Sequence, residues 1–130
     1  MWPHERSLVK NLDGKPFALI GVNTNGYDSK KLKEVMDKEK LDVIVAPSGG
    51  VAWMTDLVGG DCGVFESSSL AAVAGYPNIT VPAGFIQGLP AGISFFGKAF
   101  TEHKLIMAAY AFEQATRARR IPKFLTTYAG

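Results

Sequence analysis

The sequence predicts an α/β fold in which helices pack in layers against a β-sheet. A charged segment that begins near Asp28 or Ser29 and ends near Lys40 carries apolar residues at helical spacing, which is typical of a surface helix. The run Leu41–Ala46 follows at once, and its consecutive β-branched residues are typical of a strand buried on both faces. A helix that leads directly into such a strand favours a sheet covered by helices.

Local signals predict the remaining elements in order. They are a short alanine-rich helix capped by the serines at 67–69, the strands Ile79–Val81 and Gly92–Phe96, and a last helix capped by Thr101. Gly75 is expected to end the short helix, because glycine readily takes the left-handed conformation of a helix C-terminus. Pro82 is expected to end the first of the two strands, and residues 84–90 to form the turn between them.

Composition argues against several classes of function. The chain has 14 basic and 12 acidic residues, a net charge of +2 that is too small to indicate nucleic-acid binding. No apolar run approaches the roughly 18 residues of a membrane helix. Cys62 is the single cysteine, and the two histidines are far apart, so neither a disulfide framework nor a metal site is expected. We expect a cytoplasmic protein without cofactor, membrane or nucleic-acid partner.

Candidate chemistry is confined to the long loop Ser48–Gly63 and the serines that follow it. Long loops in compact domains are usually functional or mobile, and this one carries Trp53. A nucleophilic serine needs a base within hydrogen-bond reach, and none is near residues 67–69 in the sequence, so the capping interpretation is favoured. Glu66 has two interpretations: a carboxylate stabilised by the helix dipole, or a group that holds a cationic or amide group in a cleft.

Three blocks of the sequence resemble the C-terminal part of amidase signature enzymes. They read LDVIVAPSGG, SSSLAAVAGYPNITVPAGFIQGLPAGISFFG and LIMAAYAFEQATRAR. The order and spacing of AGYPNITVP, GLPAGISF and AFEQAT make this resemblance specific, and it covers about residues 27 to 125. We therefore divide the chain into an unassigned N-terminal segment, 1–26, in which residues 17–22 could form a strand, and an amidase-like α/β domain, 27–130.

The resemblance implies a large fold with a mixed central sheet and the hydrolysis of carboxamides by a serine–serine–lysine triad. In the family this triad lies in a Gly/Ser-rich stretch of the N-terminal half, which the present sequence does not contain, so no catalytic residue is assigned here. The resemblance implies instead that Phe65, Glu66 and Ser67, and less directly Trp53, help to wall the substrate pocket. A role in packing the loop is an equal alternative for these residues.

Two hypotheses of function follow. The chain is the C-terminal part of an amidase, inactive alone, which meets a small-molecule amide substrate only within the full enzyme. Alternatively, it is a non-catalytic binding or assembly module built on the same fold. Under both hypotheses we expect self-association, because the strands Val43–Ala46 and Ile93–Phe96 are apolar on both faces and need cover.

Overall fold

The computed structural model describes residues 29–60 and 66–124. Within these ranges it contains three helices and three strands: α1 (Ser29–Lys38), β1 (Ile44–Pro47), α2 (Ser68–Ala74), β2 (Asn78–Ile86), β3 (Leu89–Phe96) and α3 (Glu102–Thr116). The possible strand at 17–22 lies outside the described residues. In the described part of the chain, no helix is both long and apolar enough to cross a bilayer.

The described strands form one sheet in the order β1–β3–β2. Strand β3 is antiparallel to both neighbours, so the two outer strands run parallel to each other. Phe96, near the end of β3, lies between Ile44 of β1 and Asn78 of β2. The last strand in the sequence is therefore the central one.

Helices cover both faces of the sheet. Phe96 packs in one cluster with Met36 of α1 and Leu70 of α2, whereas the adjacent Phe95 packs in another with Leu105 of α3. Successive strand residues point to opposite faces, so these two clusters lie on the two sides of β3. The predicted α/β layering is confirmed, and so is the burial of the end of β3 on both faces.

Strand β1 differs from the prediction in its bounds and in its burial. It covers Ile44–Pro47 rather than Leu41–Ala46, and Val45 is 48% exposed. Val45 pairs with Phe95, but α3 packs on β2 and β3 and leaves this side of the outer strand open. The prediction that this strand is buried on both faces was wrong, because β1 lies at the edge of the described sheet.

The hairpin between β2 and β3 is tighter than predicted. Its turn is formed by Gln87 and Gly88, which both have positive φ values, 50° and 83°, as two-residue hairpin turns prefer. Strand β2 also continues past Pro82, where a shift in register between Pro82 and Gly84 accommodates the proline. Both strands are consequently longer than the sequence pattern indicates.

The helix ends confirm the predicted cap at Gly75 and the positions of Ser67 and Thr101 before their helices, but not the cap hydrogen bonds of these two hydroxyls. Gly75 is left-handed, with φ of 67°, and its N–H and that of Tyr76 donate to carbonyls of α2. The hydroxyls of Ser67 and Thr101 make no cap hydrogen bond at their helices. They donate instead to earlier carbonyls, those of Ser48 and Lys98 respectively. Both cap predictions were therefore wrong about the hydrogen-bond partner.

An ion pair between α1 and the segment after β3 predicts acid sensitivity. Hydrogen bonds from Lys33 and Lys98 lower the pKa of Asp37 from 3.8 to about 2. A carboxyl with a lowered folded-state pKa stabilises the fold fully above its unfolded pKa, and this contribution is lost as the pH falls from about 4 to about 2. We expect Asp37→Asn to flatten the dependence of stability on pH in this window.

The pKa of Asp37 is measurable directly by NMR titration of its carboxyl carbon. Nζ of Lys98 lies 2.6 Å from Oδ1 of Asp37. Lys98→Met removes this donor and should raise the pKa of Asp37. An Asp37 pKa at the ordinary value in the wild-type chain would contradict the ion pair.

Candidate functional site

The two ends of the long loop after β1 are held together at the start of α2. The carbonyl of Ser48 accepts a hydrogen bond from the backbone N–H of Ser67 at 3.2 Å, and Gly49 pairs with Glu66 in an antiparallel bridge. The N–H of Ser48 donates to the carbonyl of Gly92 in β3, at 3.0 Å. We call Ser48, Gly49, Glu66 and Ser67 the loop base. The loop is therefore closed against the end of the sheet.

Three hydroxyls hold the loop base to the strands. Oγ of Ser94 donates to Oγ of Ser48 at 2.7 Å and lies 2.8 Å from Oγ1 of Thr80, its neighbour on β2. Oγ of Ser48 lies 3.3 Å from Oγ1 of Thr80. We call these three residues the hydroxyl cluster. Ser94 is buried, so its hydroxyl needs partners within the protein, and the cluster supplies two.

Gly92 leaves the space that the hydroxyl cluster occupies. A Cβ at this position would lie 2.9 Å from Oγ of Ser48 and 3.0 Å from Cγ2 of Thr80. Contacts this close force neighbouring atoms to move. A residue without a side chain is thus required beside Ser48 for the described arrangement.

The hydroxyl cluster can hold groups in place, but its described contacts do not activate a nucleophile. The described hydroxyl hydrogen bonds of Ser48 and Ser94 link these two residues to each other and to Thr80, and the hydroxyl of Ser67 donates to the carbonyl of Ser48. A serine nucleophile requires an adjacent general base. Among residues 29–60 and 66–124, no three His, Cys, Asp or Glu side chains are grouped to bind a metal ion. We therefore regard the cluster as a positioning feature.

The structure brings two of the predicted site residues together. Glu66 and Ser67 are neighbours in the loop base, Glu66 exposed and Ser67 only 1% exposed, with its Oγ 3.5 Å from the carbonyl of Ser48. Trp53 lies in the closed loop and is about half exposed. Phe65 lies outside the described residues. The role of all four in a pocket wall stays a prediction.

Residues of the hydroxyl cluster and Gly92 were not predicted from the sequence. The available signal was polarity: Thr80 and Ser94 are hydroxyl residues inside otherwise apolar strands. Ser48 offered no comparable signal, because it follows the strand-ending Pro47 as an ordinary turn residue does.

A turn within the loop presents apolar side chains. The carboxylate of Asp56 accepts a hydrogen bond from the N–H of Val58 at 2.8 Å. The backbone carbonyl of Asp56 accepts another from the N–H of Gly60 at 2.9 Å. Hydrogen bonds from the N–H groups of Val58 and Gly59 lower the pKa of the Asp56 carboxyl. The turn leaves Leu57 and Val58 almost fully exposed.

The layered sheet and the loop base define an α/β protein. No protein-family model matches the chain. It is 43% identical over 95 residues to a probable amidase of Arabidopsis thaliana, a match that covers 72% of this chain and 15% of that protein.

Two solved structures of peptide amidases share the fold. The peptide amidase PAM, in complex with the competitive inhibitor chymostatin, is 53% identical with a TM-score of 0.67, over 72% of this chain and 19% of that one. The native peptide amidase of Stenotrophomonas maltophilia is 37% identical with a TM-score of 0.64, over 95% of this chain and 28% of that one.

The resemblance to amidase signature enzymes is thereby confirmed: the chain is related in sequence and in fold to one part of such enzymes. It spans only 15% of the length of the plant relative and 19% and 28% of the two solved chains.

Proposed function

We propose that the chain is the C-terminal part of an amidase, which hydrolyses the C–N bond of a carboxamide, and that it is inactive alone. The observation that carries this proposal is the 53% identity and TM-score of 0.67 to one fifth of a peptide amidase. The sequence has no Gly/Ser-rich stretch with the lysine and serines of the family's triad. Binding and positioning groups without nucleophile and base leave little of an enzyme's catalytic power.

In this proposal, the loop base forms part of the wall of the substrate pocket. Glu66 is exposed, so its carboxylate is free to accept a hydrogen bond from an amide N–H. Ser67 is buried, and its hydroxyl donates a hydrogen bond to the carbonyl of Ser48. It therefore fixes the position of Glu66 rather than contacting substrate. Trp53 supplies apolar surface, as in most pockets for small ligands, and Phe65, outside the described residues, is assigned to the wall on the family resemblance alone. The proposed substrate is a small amide, met only within the full enzyme.

The test is an assay of peptide-amide hydrolysis, in which turnover is measured as the release of ammonia. The purified chain should show none. Mixed with the S. maltophilia peptide amidase from which the segment matching this chain is deleted, it should restore hydrolysis. Turnover by the chain alone, sensitive to a serine-directed reagent, would contradict the proposal. Failure to restore hydrolysis would favour the alternative of a stand-alone binding or assembly module.

Glu66→Gln tests the pocket wall in the restored enzyme. Glutamine keeps an acceptor oxygen but loses the charge, which weakens a hydrogen bond from an amide N–H by about 1 kcal/mol, so we expect kcat/KM to fall by roughly 5- to 10-fold. Glu34→Gln, an exposed position on α1, is the matched control and should leave kcat/KM unchanged. Equal kcat/KM for Glu66→Gln and the wild type would remove Glu66 from the pocket.

We further propose that the isolated chain self-associates in the cytoplasm through β1. Among the described strands β1 pairs with β3 alone, and Val45 beside this edge is half exposed. Open strand edges pair readily with other strands. The single cysteine, Cys62, supports a reducing compartment. Light scattering that shows only monomer at high concentration would contradict self-association.

A further inference from the structure

The middle of helix α3, residues 105–112, is apolar on the side away from the sheet as well as on the side that contacts it. Leu105 and Ala109 are buried against the sheet. Ile106, Met107 and Tyr110 are 57%, 69% and 62% exposed. Tyr110 follows the other two by four and three positions, so the three side chains are neighbours on the helix surface. We call them the outer face of α3.

The exposed positions of α1 show what a solvent-facing helix of this chain looks like. They are occupied mainly by charged residues, among them Lys31, Lys33 and Glu34. By contrast, no residue from 105 to 112 is charged. A helix that is hydrophobic all round belongs to the interior of a larger protein. The outer face of α3 therefore has the composition of a covered surface.

The outer face of α3 by itself is too small to hold a second copy of the chain. Its three side chains are far fewer than the roughly 20–30 residues, about 800 Å² per partner, that each side of a standard interface contributes. In the peptide amidase with a TM-score of 0.67, the part that matches this chain makes up 19% of one longer polypeptide. Most of such an enzyme is therefore available to cover the face.

We infer that the outer face of α3 is the surface against which the remaining, N-terminal part of an amidase packs. This inference rests on the proposed function and names its interface. The helix then lies between the sheet of this chain and the other part of the enzyme, as an interior layer.

The test is capture of the truncated S. maltophilia peptide amidase, with the matching segment deleted, by tagged chain during co-expression. The wild-type chain should bring the partner into the soluble fraction and bind it. Met107→Glu and Tyr110→Glu should weaken capture at least tenfold while leaving the circular dichroism and melting of the chain unchanged. The matched controls Met107→Leu and Tyr110→Phe keep the face apolar and should capture as the wild type does.

Several outcomes would overturn the inference. The first is capture that the two glutamate variants leave unchanged, and the second is a partner that stays insoluble with every version of the chain. The third is conversion of a wild-type oligomer to a monomer by Met107→Glu, which would identify a second copy as the occupant. Capture without amide hydrolysis would refute the proposed function and leave the interface standing. If the Met107→Glu chain restores hydrolysis as well as the wild type does, the interface is refuted and the proposed function stands.

Discussion

Replacement of Phe96 by alanine is expected to destabilise the fold by about 3–5 kcal/mol, the usual cost of removing a large buried aromatic side chain. Phe96 is 1% exposed and packs with Met36 of α1 and Leu70 of α2. It also lies in the central strand, paired with Ile44 on one side. Its ring thus joins the sheet to both helices of one layer, and the cavity left by alanine would loosen all three contacts.

Urea unfolding followed by circular dichroism measures this loss. Small domains are stable by only about 5–15 kcal/mol, so Phe96→Ala should shift the midpoint strongly or abolish the transition. Phe100→Ala makes the same chemical change at a side chain that is 89% exposed, and should alter stability by less than about 0.5 kcal/mol. Similar midpoints for the two variants would contradict the described core.

Replacement of Gly92 by alanine is expected to cost about 1–3 kcal/mol, because the added methyl group overpacks the hydroxyl cluster. Its Cβ would lie 2.9 Å from Oγ of Ser48 and 3.0 Å from Cγ2 of Thr80. Relief of these contacts requires Ser48 and Thr80 to shift, and Ser48 carries hydrogen bonds of the loop base. The change should therefore disturb the candidate site as well as the sheet.

A double-mutant cycle tests this explanation. Ser48→Ala deletes the hydroxyl nearest the added methyl group, and Thr80→Ser deletes the methyl group of Thr80 while keeping its hydroxyl. In either background, Gly92→Ala should cost less than in the wild type, since contacting residues couple by about 0.5–3 kcal/mol. Gly92→Ala without effect, or with the same cost in all backgrounds, would show that this packing is not tight. Amide exchange at Ser67 reports whether the loop base loosens.

The order of helices and strands was predictable because the signals for it are local. The helical spacing of apolar residues in α1 and the glycine at position 75 act over a few residues, and both were interpreted correctly. The strand ends were not, because a bulge next to Pro82 and positive φ at Gln87 depend on pairing with β3 rather than on local preference.

The candidate site was predictable only in part. Glu66 and Ser67 were singled out by their place at the start of the short helix and by the family resemblance. The structure places both in the loop base, and their role in a pocket wall stays a prediction. Their support was missed: Ser48 lies 19 residues before Ser67 and 46 before Ser94, and nothing in the sequence indicates that these hydroxyls meet.

The sequence by itself determined the layered α/β class and the relation to amidases, because hydrophobic spacing, turn residues and motif order are all properties of short segments. The tertiary structure decided which surfaces are covered. By placing β3 between β1 and β2, it buries Phe95 and Phe96 on opposite faces, brings Ser48, Thr80 and Ser94 together, and leaves Val45 and the outer face of α3 open. Strand order is set by the summed burial of distant segments, and no short stretch of residues specifies it.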